Sequence, residues 1–261
     1  MYRDHAEYLR EWIEFHRLVG VDRFFLYNNE SSDDHREVLA PYIEQGVVVL
    51  HEWPTPASVE RGVPWNLIGA FDDCLAKHRD DSRWITFIDI DEFLFSPDGT
   101  QLRELLHGYE DYSGVSVTRL DFGSSGHETQ PAGLVIESYL HRRSYGDGEL
   151  EWTKSILDPK RTVRCENAHV FDHVDGWGVD VNKNPVPRPP PGPIPVHFEP
   201  LRINHYLTKS EEEYRRKLDR WQAAGWPNEP GPGWMEVLTA EFDDAITRYV
   251  PALREVLAPL R

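Results

Sequence analysis

The chain of 261 residues reads as an α/β protein whose first hundred residues build a parallel sheet of Rossmann type. Three observations predict this. Apolar side chains recur at helical spacing over residues 6–19, 37–43 and 65–78. Short β-type runs stand between and after these helices, at residues 21–27, 47–50 and 84–89. The last of them ends in three carboxylates, Asp89, Asp91 and Glu92, at the strand end where open α/β sheets bind their ligands.

Each element has its own warrant. Residues 6–19 carry Tyr8, Leu9, Trp12, Ile13, Phe15, Leu18 and Val19 as one stripe, which stops at Gly20. After the strand at 21–27, the polar run Asn28 to Asp34 supplies turn and cap residues, and the helix that follows closes at Gly46. Residues 54–64 read as loop, and 65–78 as an amphipathic helix with Leu67, Ala70, Phe71, Cys74 and Leu75 on one side. Beyond Gly99 the pattern loosens to a helix at 101–106, a strand at 114–120, a glycine loop at 122–127 and strand-like pieces at 133–141 and 161–165. The proline-rich run at 185–195 cannot form helix or central strand. Residues 196–204 then read as a strand, 210–221 as a charged helix capped by Ser210, and 234–257 as one or two helices.

Composition narrows the function. The balance of 28 basic against 45 acidic residues, −17, argues against nucleic acid or an anionic membrane as partner. Two cysteines outside any metal or redox spacing are no disulfide scaffold and fit a reducing compartment. No apolar stretch has the length of a membrane span, and the start has no signal-peptide core, so a cytoplasmic protein without an integral membrane segment is expected.

The carboxylates at 89–92 carry the chemistry. Burying them unpaired costs several kcal/mol, so a cation is expected, either Lys/Arg or a divalent metal. No basic residue lies between Trp84 and Gln101 to pair with them locally. In a strand Asp89 and Asp91 point to the same side, which suits Mg2+ or Mn2+ on a phosphate. Glu92 points the other way and is expected to support or cap. The bland alternative is helix capping. His205 with Lys209 offers an imidazole ligand and a phosphate-neutralising ammonium, against the alternative of an ordinary surface pair. Lys154 could contact a diphosphate, and His169 reads equally as a satisfied core histidine.

These pieces resemble glycosyltransferase family 92 and the broader family 2-like group of the GT-A fold. The resemblance rests on Tyr8-Leu-Arg-Glu-Trp-Ile-Glu-Phe-His16 with Gly20-Val-Asp22, Phe25-Leu-Tyr-Asn28, Phe87-Ile-Asp-Ile-Asp-Glu-Phe-Leu94, Phe122-Gly-Ser-Ser-Gly126, Lys154-Ser-Ile156, Asn204-His-Tyr206 and Lys209-Ser210, in that family's order. It implies a single GT-A-type domain over residues 1–261, a Rossmann-like mixed sheet flanked by helices. Residues 1–100 would bind the nucleotide sugar, 101–217 the acceptor while completing the metal site, and 218–261 would form a helical tail. The usual first strand is missing, with Met1-Tyr2 in its place.

The implied enzyme is a glycosyltransferase of hexosyltransferase type, with a nucleotide sugar, expected to be a uridine diphosphate sugar, as donor and a glycan or other hydroxyl as acceptor. By the same resemblance Asp89 and Asp91 are the DxD pair holding Mn2+ or Mg2+, His205 completes the metal shell, and Asp89, Lys154, Lys209 and Asn28 hold the donor. Inversion requires a carboxylate base, for which Glu128, Asp121 and Asp175 are the candidates. A haloacid dehalogenase-type phosphohydrolase also places DxD at a strand end, but Phe93 stands where it needs Thr. The alternative is a non-catalytic carbohydrate- or nucleotide-binding protein that keeps the fold.

Overall fold

A computed structural model describes residues 1–56, 59–60, 63–174, 178–186, 193–223 and 234–258, with the backbone alone for 59–60 and 63–65. The first helix, α1 (Ala6–Leu18), buries Leu9, Trp12, Ile13 and Phe15 and ends at Gly20, whose φ of 106° turns the chain out. Strand β1 (Phe24–Asn28), helix α2 (His35–Glu44) and strand β2 (Val48–Glu52) follow, and β1 and β2 pair in parallel as a separate two-stranded sheet. The two-residue strands β3 (Val59–Glu60) and β4 (Val63–Pro64) lead into α3 (Trp65–His78).

The second sheet has six strands. They are β5 (Ile85–Thr86), β6 (Glu92–Phe95), β7 (Gly114–Asp121), β10 (Thr153–Leu157), β13 (Val179–Asp180) and β15 (Arg202–His205). Its order is β5-β10-β7-β15-β6, with β13 beside β7. The β7–β15 and β7–β13 pairs are parallel and the others antiparallel, so the sheet is mixed and strands from both halves of the chain interleave. Small pieces complete the fold: β8 (His141–Arg142) with β16 (Glu241–Phe242), β9 (Leu150–Glu151) with β14 (Ile194–Pro195), and the hairpin β11 (Thr162–Asn167)–β12 (Val170–His173). The remaining helices are α4 (Leu102–Leu106), α5 (Val135–Ser138), α6 (Glu211–Ala223), α7 (Trp234–Val237) and α8 (Val250–Leu257).

The main core joins α1 and α8 to the sheet through Phe15, Phe93, Phe95, Leu120, Tyr206 and Leu253. A second cluster gathers α3 with the β11–β12 hairpin around the stacked rings of Phe71, Phe87 and Phe171. Among the described residues no helix is long and apolar enough to cross a membrane.

Several expectations need correction. The run at 84–89 is a strand over Ile85–Thr86 alone, and Asp89 to Asp91 form a turn into β6. A local apolar pattern cannot reveal that Glu92 to Phe95 are claimed by β15. Residues 133–141 hold a short helix, α5, because Glu11 reaches across from α1 to accept the N–H groups of Val135 and Ile136 at 2.9 and 3.2 Å. The strand at 196–204 begins only at Arg202. Tyr2 and Asn28 form one isolated parallel bridge at the open edge of β1.

Candidate active site

The carboxylates sit in the tight turn between β5 and β6. The indole N–H of Trp12 donates to the carbonyls of Asp89 and Glu92 at 3.1 and 2.9 Å, and the Tyr206 N–H donates to the Asp91 carbonyl at 2.8 Å. The turn is therefore gripped from α1 on one side and from the end of β15 on the other. Glu92 is wholly buried, and its Oε2 accepts the N–H of Asp89 at 3.0 Å, which fixes the turn from inside.

Cations come from distant parts of the chain. Lys154 on β10 places Nζ 2.9 Å from Asp89 Oδ2 and 3.4 Å from Glu92 Oε2. Lys217 on α6 places Nζ 2.7 Å from Asp91 Oδ2 and 3.0 Å from the Leu207 carbonyl. Arg119 on β7 stands 3.4 Å from Glu92 and 3.8 Å from Asp121, with no hydrogen-bond partner for its buried Nε among the described residues. Burial pulls the pKa of both aspartates up, but Lys154 outweighs it at Asp89, holding that group down at about 2, and Lys217 with His205 holds Asp91 lower still. Asp89 is 41% exposed, so it lies open to a ligand while walled by charge.

His205 ends β15 directly beside Asp121, the last residue of β7, because the two strands run parallel in that register. Its Nδ1 lies 2.6 Å from Asp121 Oδ1, and its Nε2 faces Asp91 Oδ1 at 3.8 Å. A histidine held this way on a carboxylate presents Nε2 as an acceptor, the support that metal-binding histidines have. Burial would raise Asp121, but His205 and Arg119 hold it low.

The residues present therefore fit a divalent cation in part. Asp91 and His205 face one point, whereas Asp89 is turned to Lys154, and among the described residues no three of His, Cys, Asp and Glu close around one ion.

Lys209 follows in a left-handed backbone conformation, φ 52°, unusual for a side chain with a Cβ. Its ammonium lies buried 3.2 Å from the centre of the Tyr8 ring, and burial lowers its pKa to about 8. Tyr8 in turn donates to Glu213, which also accepts from Tyr139 at 3.0 Å and closes a capping box with Ser210 at the start of α6.

The other candidates are placed elsewhere. Asn28 is buried, bonded to Glu52 at 2.8 Å and to the Ser31 N–H at 2.9 Å. His169, half-buried, bonds the Thr153 carbonyl at 2.7 Å, and burial lowers it to about 4. Glu128 is exposed beside the start of α6. Asp175 lies outside the described residues.

Sequence reasoning missed Arg119, Lys217, Glu213 and Glu151, a buried carboxylate raised by burial and by Asp121. Only the 210–213 Ser-x-x-Glu spacing carried a readable signal among them.

The family model described as glycosyltransferase family 92 matches residues 1–188, which include Asp89, Asp91, Asp121 and Lys154 and stop short of His205, Lys209 and Lys217. A glycosyltransferase family 92 protein of Ricinus communis is 29% identical over 245 residues, 89% of this chain and 39% of that protein. One from Oryza sativa subsp. japonica is 35% identical over 163 residues, 61% of this chain and 26% of that protein. A galactan beta-1,4-galactosyltransferase of Arabidopsis thaliana is 29% identical over 229 residues, 82% of this chain and 42% of that protein. The chain spans less than half the length of each of these relatives.

Proposed function

The chain belongs to glycosyltransferase family 92, and from that membership we propose that it transfers a sugar from a nucleotide sugar to a hydroxyl acceptor, with inversion and with Mn2+ or Mg2+ on the donor diphosphate. The observation that carries this reading is the line Asp91–His205–Asp121, an imidazole locked by one carboxylate and aimed at another.

Asp91 and His205 would hold the cation, and Asp89 would join them once Lys154 turns from it to a phosphate oxygen. Bound there, the cation would supply positive charge against the leaving diphosphate. Lys154 and Lys217, now paired with Asp89 and Asp91, and Lys209 nearby would add to that charge. The bond from the anomeric carbon to the phosphate oxygen breaks with its electron pair leaving on the diphosphate. The acceptor oxygen bonds to the opposite face, and its proton passes to a carboxylate. Asp121 is committed to His205; Glu151, buried and raised by burial and by Asp121 although it lies 3.1 Å from Arg143, joins the candidates for that proton. The galactosyltransferase relatives make uridine diphosphate galactose the first donor to test.

The test is a donor screen that reads nucleotide release with Mn2+, Mg2+ or chelator, paired with thermal shift. Metal-dependent release of uridine diphosphate is expected, together with a rise in melting temperature on adding Mn2+ and donor that Asp91→Ala removes. An equal thermal shift in wild type and Asp91→Ala would sink the metal assignment. A metal-dependent shift without release from any donor would favour the non-catalytic binder.

A further inference from the structure

Trp152 lies where β9 passes into β10. Among the described tryptophan side chains it is the one left exposed, at 42%. β10 runs antiparallel to β5 and β7, so its first residues lie at the end of the sheet where those two strands finish, the end that carries Asp89 and Asp121. The Arg119 N–H donates to the Trp152 carbonyl at 3.1 Å and carries the β7–β10 ladder one step past Thr153. Lys154, which holds Asp89, follows two residues later.

The exposed indole is braced. His169, between β11 and β12, sets its ring centre 5.0 Å from that of Trp152 with the planes inclined by 34°. Its Nδ1–H donates to the Thr153 carbonyl at 2.7 Å, so Nε2 is left as the acceptor of the ring. Burial, with Lys154 and Arg119, lowers its pKa to about 4, so that acceptor is available at neutral pH. On its other flank the Trp152 N–H donates to Glu151 Oε1 at 2.7 Å. An aromatic face, an imidazole acceptor and a buried carboxylate with a raised pKa therefore sit together beside Asp89 and Lys154.

That combination matches a pyranose ring. Such a sugar carries hydroxyls around its edge and C–H groups on its faces, and those C–H groups meet the negative face of an indole. A rigid indole gives this contact area at little cost in conformational entropy. Resting on the reading of the chain as a sugar transferase, we propose that Trp152 and His169 form its acceptor subsite, where a pyranose unit of an oligosaccharide stacks on the indole and one hydroxyl donates to His169 Nε2. Trp152 is then a positioning residue. It fixes the plane of the acceptor sugar and so decides which hydroxyl turns toward Glu151.

The experiment measures sugar binding without donor, metal or turnover, so its outcome is separate from that of the transfer assay. Wild type, Trp152→Ala, Trp152→Phe and His169→Ala are titrated calorimetrically with β-1,4-linked tetrasaccharides of galactose, glucose and mannose. At least one of these should bind wild type, with affinity about tenfold or more weaker in Trp152→Ala and only about threefold weaker in Trp152→Phe, which keeps an aromatic face. His169→Ala should fall between wild type and Trp152→Ala. Saturation-transfer NMR should show the strongest contact at the C–H protons on one face of one sugar unit. The thermal shift given by Mn2+ with uridine diphosphate should persist in Trp152→Ala. Failure of all three sugars to bind wild type, or equal binding by wild type and Trp152→Ala, would overturn the proposal. So would loss of the uridine diphosphate shift in Trp152→Ala with sugar binding intact, which would assign the indole to the nucleotide base. Trp152-dependent sugar binding without nucleotide release from any donor would uphold the subsite while removing the transfer reading.

Discussion

Glu92 shows what a single side chain does at this site. It is completely buried yet ionisable, and it meets the Asp89 N–H at 3.0 Å, Lys154 at 3.4 Å and Arg119 at 3.4 Å. Its removal leaves two buried cations short of a counter-charge, and breaking such a pair costs about 3–5 kcal/mol. Glu92→Ala should therefore lose roughly that much in urea unfolding, whereas Glu92→Gln, which keeps shape and one acceptor, should lose clearly less. Similar losses in both variants would show that the charge of Glu92 does not matter. The sequence marked Glu92 as a supporting residue and could not say what it supports. Its partners Arg119 and Lys154 lie 27 and 62 positions away, each looking like an ordinary charged residue until β7 and β10 are assembled.

Helices were the legible part of the fold, because burial against one core imposes a period that survives in the sequence. The limits of α1 and α3 follow their apolar stripes, and the turn at Gly20 follows its glycine. The DxD segment misled because β6 pairs with a strand more than a hundred positions later, so its pattern alone could not place the turn. Side-chain charge on α1 carries a further consequence. His16 is buried, donating from Nδ1 to the Trp12 carbonyl at 2.8 Å and accepting the Leu94 N–H at 3.2 Å, and burial lowers its pKa to about 4. Stability from this group is present above about pH 6.5 and is lost as pH falls toward 4. Glu11 is the reverse: burial raises it to about 7, so its contribution is full below about pH 4.5 and is lost as pH rises through 7. Each shift corresponds to roughly 3 kcal/mol, so the two slopes nearly cancel on one helix. Glu11→Gln should gain on wild type by about 2–3 kcal/mol as pH rises from 5 to 7.5, and the penalty of His16→Gln should shrink as pH falls over the same range. Urea unfolding across that range checks both, and differences that stay constant with pH would refute the pairing.

At the scale of the whole molecule, charge and site pull in opposite directions. A net charge of −17 surrounds a cleft whose Lys154, Lys217 and Arg119 are spent on its own carboxylates, so the surplus negative charge lies elsewhere on the surface. Surface pairs such as Arg36–Glu52 and Arg103–Asp22 lie in high dielectric and contribute at most about 1 kcal/mol each. Buried pairs such as Arg202–Asp243, at 2.6 Å, are screened little by salt. Repulsion among the surplus carboxylates acts over longer distances, where a Debye length of about 30 Å at 0.01 M shrinks to about 8 Å at physiological salt. Salt should therefore relieve more repulsion than attraction, and the folded state, in which these charges are closest together, should gain. Raising sodium chloride from 10 to 300 mM should increase the melting temperature by a few degrees, most steeply below 100 mM where the Debye length falls fastest. Potassium chloride should give the same curve, because the effect depends on ionic strength. A melting temperature that falls with either salt would mean that the exposed ion pairs, and not the excess of carboxylates, govern the electrostatics of this fold.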